Sequence, residues 1–174
     1  MVQQDERTQQ ALAYIRHQAS RSLAELRVLA ERTAADCGRC LEGISEEQAC
    51  FKPSNEWSVK EVLDHMIYAT AQVIIELIRD ICSRKAPRPY TPDPSGGRAM
   101  QSIQELRKEM DRLLEETVAL VGSLQEGDMP PETWEHPTLG PLNIKELIAL
   151  HRLHIMDHVQ RIEKIKGDQG YPAS

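Results

Sequence analysis

Aromatic side chains are scarce in this chain, with one phenylalanine, two tryptophans and four tyrosines among 174 residues. Such a low content argues against a stacking platform for nucleic-acid bases, which needs several exposed rings. Leucine, isoleucine, valine, alanine and methionine must therefore fill the core. A core of this kind favours the packing of helices on helices over a sheet.

Long apolar runs are also missing. No stretch is long and apolar enough to span a bilayer, and the first 16 residues lack the apolar segment of a signal peptide. Acidic residues outnumber basic ones by 27 to 21, which gives a net charge of −6. An acidic balance argues against general binding to nucleic acid or to anionic membranes. We therefore expect a cytoplasmic protein with neither of these partners.

The chain has four cysteines, and in a cytoplasmic protein free thiols are the expected state. Cys37 and Cys40 form a C-x-x-C motif, but no βαβ pattern surrounds it, so a thioredoxin-like interpretation is weak. A structural zinc site would need two further ligands. Cys50 and Cys82 lie far apart in the sequence and form no second pair.

Apolar residues recur every three or four positions over four long segments, a spacing typical of helices. The predicted helices span roughly residues 10–41, 58–82, 102–124 and 143–166. No segment gives a convincing strand pattern. The length suits one domain, so we predict an all-α four-helix bundle over residues 1–174, with residues 168–174 as a flexible tail.

Two connections in this bundle are long and rich in proline and glycine, at residues 86–97 and 127–141. Loops of such length are often functional or mobile. The predicted helices over residues 58–82 and 143–166 begin with the same capping pattern. Ser58 with Glu61, and Asn143 with Glu146, match the capping box that satisfies the first backbone amides of a helix.

The last predicted helix carries three histidines. His154 and His158 lie four residues apart, so both rings project from one face and can share a metal. His151 and His158 are roughly 10.5 Å apart along the helix axis, whereas two nitrogens on one metal are at most about 4.2 Å apart. A third ligand must therefore come from another element, which leaves His151 as a pocket residue, a support for a ligand, or an exposed side chain.

His65 is the best candidate for that third ligand, because it lies on the inward apolar stripe of its helix. A histidine pair four residues apart also occurs by chance on amphipathic helices, so spacing alone leaves a plain helical bundle open. Glu61 either caps its helix or accepts a hydrogen bond from a ligand. Asp64 and Asp157 point about 100° away from the neighbouring histidines on an ideal helix, and we expect both to be solvated.

The segment 57–65, W-S-V-K-E-V-L-D-H, together with His154-x-x-x-His158 resembles the two signatures of the DinB/YfiT-like superfamily. The segment 136–142 is similar to that family's lead-in to its last helix. Together with the number of helices, the similarity extends over nearly the whole chain. One position departs from the pattern: many relatives have glutamine three residues after the last histidine, where this chain has Arg161.

The resemblance implies a four-helix bundle that holds a divalent metal, most often zinc or nickel, on His65, His154 and His158 together with water. Characterised relatives include enzymes that use the metal to activate a low-molecular-weight thiol, many other members have no known activity, and family members are often dimers. The hypothesis that follows is a homodimeric metal-dependent thiol S-transferase, or a related detoxification enzyme, acting on a small-molecule electrophile. The alternatives are a metal-dependent hydrolase, a non-catalytic stress-linked metal-binding protein, and a bundle that acts through partner contacts.

Overall fold

Helices make up most of the computed structural model, which describes residues 2–54, 56–86, 88–93, 96–98 and 100–173, with side chains from residue 6 onward. The α-helices are α1 (Val2–Ala19), α2 (Leu23–Cys40), α3 (Glu46–Cys50), α4 (Val59–Tyr68), α5 (Glu76–Cys82), α6 (Ile103–Ser123) and α7 (Ile144–Lys166). The segment Ala69–Ile75 is π-helical and joins α4 to α5. A hairpin of β1 (Trp134–His136) and β2 (Gly140–Leu142) precedes α7.

Four long elements form the bundle: α2, the continuous α4–π–α5 element, α6 and α7. Helix α2 packs along α6 and α7, α4 packs on both as well, and α1 adds a further layer on α7. Aliphatic and methionine side chains fill the centre, where Leu63, Met66, Met110 and Ile155 are fully buried. The prediction of an all-α four-helix bundle is confirmed. None of the helices among the described residues is both long and apolar enough to cross a membrane.

The first predicted helix, over residues 10–41, is wrong in one respect: the chain breaks it into α1 and α2. Ser22 begins the second of these helices with a complete capping box. Its Oγ accepts a hydrogen bond from the Glu25 amide at 3.3 Å, and the Glu25 carboxylate accepts one from the Ser22 amide at 2.9 Å. Apolar spacing continues across the break, so periodicity alone gives no sign of it.

The absence of strands was also a wrong prediction. β1 and β2 pair antiparallel, with Trp134 opposite Leu142 and His136 opposite Gly140. Strands of three residues are too short to show an alternating pattern in the sequence. Gly140 has φ of 74°, a left-handed conformation that glycine adopts without steric cost. The hairpin brings His136 against Trp134, with their ring centroids 5.5 Å apart.

The π-helical segment interrupts the element that carries His65. Within it the Glu76 amide donates to the Ala71 carbonyl five residues back, instead of four. Such π segments are rare and frequently occur at functional sites. Here the segment places Ala69, Val73 and Ile74 along one wall of a cavity beside the histidines.

Asp64 corrects the expectation that both acids beside the histidines are solvated. Its residue surface is 6% exposed, and its carboxylate forms an ion pair of 3.0 Å with Arg98. Arg98 also pairs with Glu109 at 3.3 Å, which ties the end of the 86–97 connection to α4 and α6. Asp157, in contrast, is exposed as expected.

We expect Asp64→Ala to lower the free energy of unfolding by about 2 kcal/mol, because it leaves a partly buried Arg98 short of one partner. Chemical denaturation followed by circular dichroism measures this. Asp157→Ala is the matched control, since it removes an exposed acid next to a histidine and should change stability by less than about 0.5 kcal/mol. Equal effects of the two substitutions would contradict a structural role for the Asp64–Arg98 pair.

The C-terminal segment predicted as a tail contacts the bundle. The ring of Tyr171 meets Phe51 edge-on with centroids 5.6 Å apart, and Gln48 Nε2 donates to the Pro172 carbonyl at 3.0 Å. The extent of the single domain over residues 1–174 stays a prediction.

Candidate metal centre

Three histidines from two elements converge inside the bundle. His65 lies on α4, and His154 and His158 lie one turn apart on α7. The ring centroid of His65 is 5.0 Å from each of the other two, and those two are 4.4 Å apart. One ring nitrogen of each residue lies within 4.8 Å of the others. The structure thus brings together the three residues that the sequence singled out.

The nitrogens at this junction lack ordinary partners. Among the described residues, nothing forms a hydrogen bond with the buried Nε2 of His154 or the buried Nδ1 of His158. A buried polar atom without a partner costs about 1–3 kcal/mol, so native proteins rarely leave such atoms unpaired. A metal ion accepts the lone pairs of such nitrogens. The donor set, three imidazoles with nitrogens near the limit of about 4.2 Å for shared coordination, fits a divalent transition metal.

The electrostatics of the cluster favour neutral rings. Burial, and next the neighbouring His65, lower the pKa of His158 to about 4. Burial together with the adjacent His158 and His65 holds the pKa of His154 well below its usual value. Both rings are therefore neutral at neutral pH, and each has one nitrogen with a free lone pair, which is the form that binds a metal.

Asp93 was not foreseen from the sequence. Its Oδ2 lies 2.6 Å from His65 Nδ1. Because a carboxylate only accepts, the proton of a neutral His65 lies on Nδ1, and Nε2 carries the free lone pair. This carboxylate–histidine pair is the usual arrangement behind a metal-ligating histidine. Tyr68 holds the same loop by donating its hydroxyl proton to the Thr91 carbonyl at 3.1 Å.

His151 lies outside the cluster, as helix geometry predicted. It is 4% exposed, and its Nε2 is 3.1 Å from Thr70 Oγ1 in the π-helical segment. Burial lowers its pKa to about 4, so the ring is neutral at physiological pH. Of the three roles left open for it, exposure is excluded.

Glu61 has the capping role. Its carboxylate accepts from the Ser58 amide at 2.7 Å and pairs with Lys52 at 2.7 Å, at the start of α4. Cys37 and Cys40 are buried free thiols, and burial raises the pKa of each to about 12. Thiols with so high a pKa are poor nucleophiles and poor metal ligands at neutral pH.

Arg161, the departure from the family pattern, lies at the outer side of the cluster. Its guanidinium carbon is 4.7 Å from the centre of the Trp57 ring, and it donates to Glu56 at 2.9 Å. Trp57 in turn meets His65 with ring centroids 5.4 Å apart. The arginine thus helps to fix the tryptophan that packs behind a candidate ligand.

A cavity of about 220 Å³ lies beside the cluster, with His65 and His154 in its wall. His136 and His151 also line it, together with Asp93 and several apolar and aromatic side chains. The sequence offered no spacing relation for His136, and its place here depends on the hairpin that was not predicted.

Comparisons with known proteins agree with this geometry. The chain is 29% identical over 147 residues to a protein of Bacillus subtilis strain 168 named uncharacterized protein YuaE, a match that covers 72% of this chain and 88% of that relative. A family model described as the DinB superfamily matches residues 29–162, which include most of α2, the whole histidine cluster and most of α7. The chain therefore belongs to the DinB superfamily.

Proposed function

We propose that this protein binds a divalent metal through His65, His154 and His158 and is a metal-dependent thiol S-transferase. The observation that carries the proposal is the convergence of three imidazoles, two with buried unpartnered nitrogens, beside a cavity that His65 and His154 line. The superfamily is often metal-binding, which supports the first half of the proposal. Imidazole nitrogens suit zinc and nickel, so these are the metals we expect.

A divalent metal held by His65, His154 and His158 would lower the pKa of a thiol or water bound to it and would thereby supply a nucleophile at neutral pH. In the proposed reaction, the sulfur of a low-molecular-weight thiol forms a bond to an electrophilic carbon of a second small molecule. The bond from that carbon to its leaving group breaks, the leaving group takes the electron pair, and the thiol proton passes to solvent.

The protein's own side chains hold the reacting groups. Asp93 fixes the His65 ring and its protonation, and the cavity next to His65 and His154 receives the electrophile. The buried Cys37 and Cys40 lie outside the cavity lining, so the proposal takes its sulfur from an added thiol. A cytoplasmic location is part of the proposal, because low-molecular-weight thiols are kept reduced in the cytoplasm. A homodimer, which the family resemblance implies, is proposed with it.

The test uses protein purified without a histidine tag and loaded with zinc or nickel. Consumption of a chloronitroarene is followed with and without a panel of low-molecular-weight thiols, in wild type and in His158→Ala. Turnover that needs both the metal and a thiol supports the proposal. Hydrolysis of a model amide without thiol would replace it with a metal-dependent hydrolase, and tight metal binding without any turnover would replace it with a non-catalytic metal-binding protein.

A further inference from the structure

The cavity beside the histidine cluster has the size of a small organic molecule. Its volume is about 220 Å³, whereas an apolar protein cavity of about 150 Å³ holds one benzene molecule. Most of its lining is apolar or aromatic: Tyr68, Val73, Ile74, Tyr90, Trp134 and Leu150. A single substituted ring therefore fits the space and the surface that the cavity offers.

The charges around the cavity select against anions. Among the described residues that line it, none is lysine or arginine. The acid in its wall, Asp93, is engaged with His65, and the chain as a whole carries a net charge of −6. An anionic group lodged there away from the metal would lose its hydration without gaining a counter-charge.

His136 gives this apolar wall a hydrogen-bond donor. Its Nδ1 accepts hydrogen bonds from the backbone amides of Thr138 and Leu139, each at 3.2 Å. Since an amide N–H only donates, Nδ1 of His136 is unprotonated, and the neutral ring carries its proton on Nε2. Burial lowers the pKa of His136, which keeps the ring neutral at physiological pH.

We propose that the cavity binds an uncharged single-ring molecule with an oxygen acceptor, which pairs with His136 Nε2–H while the ring lies against the aromatic wall that Tyr90 and Trp134 form together. The two aromatic side chains lie 6.3 Å apart between ring centroids, at an angle of 47°. This inference rests on the proposed function, because the bound molecule is the carbon electrophile of the S-transfer reaction. His65 and His154 in the same wall place its reactive carbon next to the candidate metal ligands.

Residues 88–93 of the Pro-rich connection supply Tyr90 and Asp93 to the cavity wall and are held by three contacts. Trp134 Nε1 donates to the Arg88 carbonyl at 3.0 Å, Tyr68 holds Thr91, and Asp93 holds His65. The wall that contains Tyr90 is thus attached to the hairpin, to α4 and to the histidine cluster. A wall held at three points favours a compact ring over a long flexible chain.

The test compares two ligands with the same substituted ring and nearly the same size, the neutral 4-chloro-3-nitrobenzamide and the anionic 4-chloro-3-nitrobenzoate. Isothermal titration calorimetry on the full chain, without thiol and after a chelator has removed any metal that could pair with the carboxylate, measures their dissociation constants. We expect the neutral amide to bind at least about tenfold more tightly than the carboxylate, since the latter would be buried without a counter-charge. Equal affinity, or tighter binding of the carboxylate, would overturn the inference.

Three variants place the ligand. Ala69→Leu adds three carbon atoms to the cavity wall and should weaken binding of the amide more than about tenfold, whereas Ala35→Leu, at an exposed position of α2, should leave it unchanged. His136→Asn keeps an acceptor for the two backbone amides but lacks the Nε2 donor, so binding should fall roughly fivefold. A dissociation constant of the amide that changes in neither Ala69→Leu nor His136→Asn would mean that the ligand binds elsewhere.

Failure of this inference and failure of the proposed function give different results. Tight binding of the amide that depends on Ala69 and His136, without turnover when thiol is added, keeps the cavity assignment and removes the S-transferase. Thiol-dependent turnover of other electrophiles, with no preference for the uncharged ring, keeps the S-transferase and removes the cavity assignment.

Discussion

Replacing His158 by alanine is expected to weaken binding of zinc or nickel more than about 100-fold. Loss of a residue that merely supports a ligand typically costs 10–100-fold in metal affinity, and loss of a ligand should cost more. Without His158, the metal would have only two candidate protein ligands, His154 on α7 and His65 on α4, whose ring centroids are 5.0 Å apart. Competition with a chromophoric chelator, on protein purified without a histidine tag, measures the dissociation constant.

The same substitution should abolish stabilisation by the metal. A ligand present at 100 times its dissociation constant stabilises the folded state by about 2.7 kcal/mol, so zinc should raise the melting temperature of the wild type and leave His158→Ala unchanged. His17→Ala is the matched control, since it removes an exposed histidine on α1. His65→Ala tests the ligand from α4, and a variant of His65 that binds metal as tightly as wild type would exclude the proposed triad.

The helical fold and the histidine pair could be predicted because both depend on local spacing. Apolar residues at intervals of three and four defined the helices, and an interval of four placed His154 and His158 on one face. The capping boxes at Ser58 and Asn143 marked where the two histidine-bearing elements begin, and both are present in the structure. The prediction of His65 as the third ligand depended on its position on the inward apolar stripe of its helix and on the family resemblance.

The surroundings of the site escaped prediction because they depend on contacts between distant segments. Asp93 lies 28 residues from His65, in a Pro-rich loop with no periodic pattern. His136 reaches the cavity through a hairpin whose strands are three residues long. Asp64 lies one position from His65, yet it is buried because Arg98 from the following loop meets it. Nothing in the local sequence distinguishes it from the exposed Asp157.

The π-helical segment Ala69–Ile75 has a similar explanation. Its sequence, A-T-A-Q-V-I-I, suits an ordinary α-helix, and apolar spacing gives no sign of the wider turn. In the folded protein, Thr70 of this segment contacts His151 of α7, which is 81 residues away in the sequence. The wider turn and the cavity wall occur together, which links a local irregularity of the backbone to the space where a ligand is expected.

Asp93→Asn is expected to weaken metal binding by about 10- to 100-fold, the range found when the carboxylate behind a ligating histidine is removed. Asparagine keeps the size of the side chain and an oxygen acceptor, but it lacks the negative charge that makes His65 Nε2 a stronger electron-pair donor. Asp93→Ala removes the acceptor as well, so its loss should be larger than that of Asp93→Asn. The dissociation constant for zinc, measured by chelator competition, gives this order.

A control variant separates the hydrogen bond from the general loss of negative charge. Asp157→Asn removes one charge beside His158 but leaves the pair of 2.6 Å between His65 and Asp93 intact, so it should change affinity less than about threefold at physiological salt, where exposed charges are screened. Nitrogen NMR of the metal-free wild type should show His65 protonated on Nδ1, and this preference should weaken in Asp93→Ala. Equal losses for Asp93→Asn and Asp157→Asn would mean that Asp93 acts through its charge alone. In that case the loop it belongs to would have no specific part in orienting the ring of His65.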